Sequence, residues 1–196
     1  MAMKSRATKS KPTKSKPTKS PAKAKVGVLG ASGYTGSELV RLLLRHPNVE
    51  LVLLTADRRA GQEMRAVFPQ FAPFKLPRLV SIESIDWKKA GLDLAFCALP
   101  HATTQKVIGD LLAKTPKTKV VDLSADFRLH DVAAYAKWYG HEHHAPKLQR
   151  EAVYGLVEVH RAAIKKARLV ANPGCYTSCA QLALTPLLKA KAIVPD

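Results

Sequence analysis

The chain has 196 residues, 46% of them apolar, and carries 32 basic against 15 acidic side chains for a formal net charge of +17. That length suits one domain, or one domain and part of another, with enough apolar residues for an α/β core. Its three cysteines are too few for a disulfide framework and match no common zinc spacing, no apolar run reaches the ~18 residues of a membrane span, and no apolar stretch near the start suggests a secretory signal.

Residues 1–25 hold eight lysines, one arginine and no acid, so residues 26–196 keep 23 basic and 15 acidic side chains. Thr8-Lys-Ser-Lys-Pro-Thr13 and Lys14-Ser-Lys-Pro-Thr18 form a loose repeat there. Lysine repulsion and proline spacing oppose a packed core, so a disordered tail is expected. Lysines bind nucleic-acid phosphates without sequence preference. However, no aromatic residue is interleaved for base stacking, which favours a solvated extension. A basic, acid-free leader rich in Ser and Thr also suits a plastid transit peptide, although those favour Arg over Lys. Free thiols and the absence of a signal point instead to the cytoplasm.

Order is predicted to begin with a strand at Val26–Gly30, followed by a helix at Ser37–His46 with Glu38 in its first turn and Pro47 beyond its end. Further strands are predicted at Val49–Leu54, Leu92–Ala98, Lys119–Leu123 and Arg168–Ala171, with a helix from His101 to Ala113 and another from Cys175 to Lys191. Strands alternating with helices predict βαβ units, hence a Rossmann-like doubly wound parallel sheet. The expected domains are the tail at 1–25, a nucleotide-binding unit at 26–171, and at 172–196 only the beginning of a second, α+β substrate domain.

Gly30, Gly33 and Gly36 lie in the turn between the first strand and helix. Backbone N–H groups there can approach a pyrophosphate, and the helix dipole favours its charge. A glycine triplet also serves as a tight turn without a ligand, but the flanking strand and helix favour the phosphate reading. Asp57 lies 21 residues past Gly36, the expected place for an acid that bonds a ribose 2′-OH. Arg58 and Arg59 follow it directly, and a guanidinium there would pair with a 2′-phosphate, which tips the expected cofactor to NADP.

Cys175 follows Asn172-Pro-Gly174 at the predicted start of a helix. Helix-terminal dipoles favour thiolate, Gly174 permits close backbone approach, and nearby N–H groups can bind an oxyanion. Leu182 and Leu184 are expected on this helix's buried face. Cys97, within an apolar strand, reads as core, and Cys179 reads as a packed small residue rather than a resolving thiol. His141, His143 and His144 cluster without a Cys or carboxylate at ligand spacing, so no metal is expected. A dinucleotide and a nucleophilic thiol on one chain suggest hydride transfer to a carbon held as a thioester.

Seven separated runs occur in one order. They are Gly27-Val-Leu-Gly-Ala-Ser-Gly-Tyr-Thr-Gly36, Thr55-Ala-Asp-Arg-Arg-Ala-Gly61, Ala98-Leu-Pro-His101, Asp122-Leu-Ser-Ala-Asp-Phe-Arg128, Trp138-Tyr-Gly140, Ala152-Val-Tyr-Gly-Leu156 and Ala171-Asn-Pro-Gly-Cys-Tyr176. With these motifs the chain resembles the N-acetyl-γ-glutamyl-phosphate reductase family, NADP-dependent enzymes of arginine biosynthesis. The resemblance implies that Cys175 is the nucleophile and that Gly30, Ser32, Gly33, Tyr34, Thr35 and Gly36, with Arg58, hold NADP. It implies a small acyl phosphate as the substrate and no membrane partner, and leaves a homo-oligomer open. The family usually has proline after the tyrosine of the cysteine motif, where this chain has Thr177-Ser178. It also continues well beyond this point, supplying most of a substrate domain and a histidine that looks like the general acid/base, so the chain looks like the front part of the enzyme. Aspartate-semialdehyde dehydrogenase, a lysine-pathway reductase acting on a substrate one methylene longer, and a non-catalytic nucleic-acid-binding module are the rival readings.

Overall fold

A computed structural model describes residues 22–194, so most of the Lys-rich segment lies outside the described residues. Seven strands form one parallel sheet in the order β3-β2-β1-β4-β5-β7-β6. They are β1 (Ala24–Leu29), β2 (Val49–Thr55), β3 (Leu79–Val80), β4 (Leu94–Cys97), β5 (Lys119–Asp122), β6 (Val153–Tyr154) and β7 (Leu169–Ala171). The helices are α1 (Tyr34–Leu43), α2 (Met64–Val67), α3 (Trp87–Ala90), α4 (Thr104–Lys114), α5 (Val132–Tyr139), α6 (Pro146–Glu151), α7 (Val157–Lys166) and α8 (Cys175–Lys189). This is the Rossmann-like doubly wound sheet expected from the alternation of strands and helices.

Strand geometry sends successive side chains to opposite faces. Val28 thus joins a core with Val40 of α1, Leu54, Met64 and Phe71. Its neighbour Leu29 joins another with Cys97, Ile108 and Leu111 of α4, and Val120. Both faces of β1 are buried, whereas on β4 and β5 one face (Ala95, Cys97 and Val120) is buried and the other (Phe96 and Val121) only partly so.

Several boundaries differ from the sequence reading. α1 starts at Tyr34, so Glu38 lies in the second turn, where it pairs with Arg41, and Arg45 and His46 fall beyond the helix end. The helix springs directly from the glycine turn because Gly33 serves as its N-cap, its carbonyl accepting the Ser37 N–H at 2.8 Å. The two-residue strands β3 and β6 and the four-residue helix α3 have no readable period. α3 is held by the Asp86 carboxylate, which accepts the Lys88 and Lys89 N–H groups, and it ends at Gly91 with φ 57°.

The largest departure is α8. None of its residues is buried, and Leu182, Leu184, Leu187 and Leu188 are each more than 40% exposed. The expectation that Leu182 and Leu184 face a core is overturned, because no described element covers that side. Cys179, expected to be packed, is exposed for the same reason.

Candidate active site

All seven strands run parallel, so the loops after β1, β4, β5 and β7 gather at one edge of the sheet. The chain turns one way from β1 through β2 to β3, and the other way from β4 through β5, which opens a crevice between β1 and β4 at their C-terminal ends. Ligands of open α/β sheets bind at such a switch point.

The glycine turn forms one wall. Gly30 has φ +85°, and a Cβ there would stand 2.4 Å from the Ala98 carbonyl oxygen. A Cβ on Gly36 would lie 2.1 Å from the Gly30 carbonyl oxygen. Only glycine fits at either position. The Gly30 N–H is held by the Thr55 hydroxyl at 2.9 Å, and the Ala31 N–H by the Thr55 carbonyl at 2.8 Å. At Gly33 a Cβ would meet only the Gly30 carbonyl oxygen, at 3.5 Å, so this glycine leaves an open approach rather than filling a tight gap.

A cleft of about 380 Å³ runs from this turn, lined by Gly30, Ser32, Gly33, Asp57 and Pro100 among others. Of the sequence-predicted cofactor residues, Gly30, Ser32 and Gly33 line it. Tyr34 is 89% exposed at the start of α1, Gly36 is buried under the turn, and Thr35 and Arg58 are exposed outside the lining. Asp57, rather than its arginine neighbours, forms the wall past β2. An open glycine turn at a helix start, with a carboxylate at the end of the next strand, fits a dinucleotide's pyrophosphate and adenosine ribose.

Cys175 is the first residue of α8, and Cys175 and Cys179 are exposed while Cys97 is fully buried. Burial, with the nearby Asp122 carboxylate second, pushes the Cys97 thiol well above its ordinary range, so Cys97 is a core residue. The Cys175 loop is fixed from below. Arg128 donates through Nε to the Asn172 carbonyl at 2.8 Å and through Nη2 to the Leu123 carbonyl at 2.9 Å. Its Nη1 packs where a Gly174 Cβ would come within 3.1 Å. β1 and β7 are three strand spacings apart, roughly 14 Å at the usual ~4.8 Å per strand, so glycine turn and thiol share an edge at the span of a dinucleotide. Thr177 and Gln181 stand about 200° and 240° round the helix from Cys175 at 100° per residue, and contact Tyr154 of β6. Cys175, Cys179 and Leu182 share the other side.

A buried polar chain between the cleft and the thiol went unread in the sequence. Asp126 accepts from the Ala102 N–H at 2.9 Å and the Tyr135 hydroxyl at 2.8 Å through one oxygen, and from the Thr104 hydroxyl at 2.6 Å through the other. The Thr104 and Ser124 hydroxyls touch at 2.8 Å, and Ser124 touches Asp122 at 2.7 Å. These are three oxygen–oxygen contacts, and the two hydroxyls supply two hydrogens. The third hydrogen belongs to one of the two carboxyls at the ends of the chain, Asp122 or Asp126. Burial pushes the Asp122 carboxyl up to about 6, against the opposing pull of the Ser124 hydrogen bonds. Burial and the Asp126 carboxylate likewise raise Tyr135 above its ordinary range, so it serves as a fixed donor. Asp122 and Asp126 stand in the quoted Asp-Leu-Ser-Ala-Asp run, but nothing local shows that Asp126 meets residues 24 positions earlier.

Two of the three clustered histidines serve packing and loop contacts. His143 Nε2 is 2.9 Å from the Asp126 carbonyl and 3.1 Å from Gln149 Oε1, its Nδ1 accepts the Ala145 N–H, and His141 stacks edge-on to Tyr135. Among the described residues no group of three or more His, Cys, Asp or Glu converges as a metal site would.

The family model for the semialdehyde dehydrogenase NAD-binding domain matches residues 25–167, well over half of the chain. The chain belongs to the semialdehyde dehydrogenase family. It is 76% identical over 174 residues to an N-acetyl-gamma-glutamyl-phosphate reductase of Afipia carboxidovorans, a match covering 89% of this chain and 49% of the relative. A probable chloroplastic N-acetyl-gamma-glutamyl-phosphate reductase of Arabidopsis thaliana is 56% identical over 169 residues, covering 86% of this chain and 41% of the relative. The fold is that of an aspartate semialdehyde dehydrogenase II from Vibrio cholerae, solved in complex with ASA. The two match with a TM-score of 0.61 at 19% identity, over 86% of this chain and 43% of that one. This chain therefore spans about half the length of the curated relatives it matches. Among the described residues no helix is long and apolar enough to cross a membrane.

Proposed function

We propose that this chain supplies the dinucleotide cleft and the nucleophilic thiol for NADP-dependent reduction of N-acetylglutamyl phosphate to N-acetylglutamate semialdehyde, a step of arginine biosynthesis. The observation that carries this reading is an exposed Cys175 opening a helix at the same sheet edge as the glycine cleft, in a chain 76% identical to a reductase of that name. Residues 26–171 form the nucleotide domain, and 172–196 open the substrate domain. The cytoplasm is the compartment, a plastid being the alternative that the Arabidopsis relative's name brings.

Gly30, Ser32 and Gly33 hold the pyrophosphate, with Tyr34, Thr35 and Gly36 completing the turn. Asp57 faces the adenosine ribose, and the adjacent Arg58 swings toward a 2′-phosphate, which makes NADP the cofactor. Bound NADPH supplies a hydride. Cys175 thiolate attacks the acyl-phosphate carbon, the C–O bond to phosphate breaks, and an acyl thioester remains on sulfur. The first N–H groups of α8, which have no intrahelical acceptor, face the oxyanion formed in that attack. After reduction the thiohemiacetal collapses, returning thiolate and releasing the aldehyde.

A chimera tests this directly, with residues 24–194 replacing the matching segment of the Afipia reductase. It is expected to oxidise NADPH in the presence of N-acetylglutamyl phosphate, and its Cys175→Ala form to lose at least ~10³-fold in kcat, as when a covalent nucleophile is removed. Ordinary turnover by the Cys175→Ala chimera would remove Cys175 from this role.

A further inference from the structure

We infer that His101 is a positioning residue for the nicotinamide ring, donating from Nε2–H to the carboxamide carbonyl of the bound dinucleotide. The inference rests on the dinucleotide reading of the β1–β4 cleft and adds a residue to it. His101 follows β4 by four residues, one past Pro100 of the cleft lining, and is exposed at the sheet edge. Its Nδ1 accepts the backbone N–H of Ala125 at 2.9 Å. A neutral imidazole carries one N–H, so that bond fixes the tautomer and leaves the hydrogen on Nε2, turned away from the β5 loop. Among the described residues Nε2 has no protein acceptor.

The loop is held in place at a cost. Ala102, the next residue, has φ 69°, a left-handed conformation unusual for a residue with a side chain. Its N–H is captured by the buried Asp126, whose carboxylate is fixed in turn by Thr104 and Tyr135. The His101 ring leans on the Tyr139 ring, with centroids 6.2 Å apart. Strained backbone held by a buried carboxylate is a feature of sites that must present one group in one direction.

The direction follows from the sheet. Asp57 follows β2 by two residues, on one side of β1, so a dinucleotide with its adenosine ribose there and its pyrophosphate on the glycine turn sends its nicotinamide to the other side. That side carries the loops of β4 and β5 and then Cys175. His101, clamped between those two loops, offers an unused side-chain donor at that edge.

Calorimetric titration of the chain with NADP+ and with 2′-phospho-ADP-ribose, which lacks only the nicotinamide, tests this. His101→Ala is expected to weaken NADP+ roughly tenfold, about the worth of one hydrogen bond, and to leave 2′-phospho-ADP-ribose unchanged. His101→Gln, whose amide offers a donor of similar reach and which also guards against a folding failure of the alanine variant, is expected to recover most of the loss. Equal weakening of both ligands by His101→Ala, or no weakening of either, would overturn the assignment while leaving the dinucleotide reading intact. A wild-type chain that bound neither ligand would instead sink the dinucleotide reading itself.

Discussion

Helices α1 and α8 stand in the same local setting, yet their packing is opposite. Each springs from a glycine N-cap after a parallel strand, and each offers its first N–H groups to the sheet edge. α1 buries Gly36, Ser37 and Val40 against the sheet, whereas the longer α8 buries nothing. The difference separates two things a helix start can do. At α1, function and packing come from the same residues, because the turn that would cradle phosphate is also the turn on which the helix rests. At α8 the thiol is presented by Arg128 and the Asn172–Gly174 loop beneath it, and the leucines along the helix contribute nothing to the described core.

The sharpest way to break this contrast is the glycine turn. Gly30→Ala imposes a left-handed φ on a residue with a side chain and drives a Cβ to 2.4 Å from backbone at Ala98. Overpacking and strain together are expected to cost about 3–5 kcal/mol, read as a lower denaturant midpoint.

The Asp122 proton comes next. Its folded carboxyl titrates at about 6, above the ordinary 3.8, so between these values the folded chain holds a proton the unfolded chain has released. Stability is therefore highest below pH ~4 as far as this group is concerned, and falls by up to roughly 3 kcal/mol as pH rises through 6. Asp122→Asn is expected to flatten that slope in unfolding titrations across pH 4 to 7. A slope unchanged by the substitution would remove Asp122 as its source.

Matched truncations then compare the two helices directly. Val40→Ala is expected to cost about 2 kcal/mol, and Leu184→Ala less than ~0.5 kcal/mol in this chain. A large loss at Leu184 would mean that α8 has a covering surface in solution. The smallest effect belongs to the lysine-rich segment. Deleting residues 1–21 is expected to leave NADP+ affinity within about twofold, since the cleft is lined by Gly30, Ser32, Gly33, Asp57 and Pro100, all outside that segment.

How much of this was legible follows from how local each feature is. The glycine turn, the parallel sheet and a thiol at a helix start are written within a few consecutive residues and could be read. The start of α1 was misplaced because Glu38 looks like a first-turn acid, while Gly33 in fact begins the helix earlier. Leu182 and Leu184 have helical spacing, and spacing says that a face is apolar without saying what covers it. Asp126, Thr104, Tyr135 and His101 were unreadable as a group, because their meeting depends on loops of three different strands and helices folding to one edge.

The most direct measurement is alkylation of the folded chain with iodoacetamide, mapped by mass spectrometry with and without saturating NADP+. Cys175 should label readily, Cys97 should stay unlabelled, and the dinucleotide should slow Cys175 severalfold while sparing Cys97's protection. Labelling of Cys175 at one rate whether or not NADP+ is bound would mean that the thiol and the nicotinamide do not share a site.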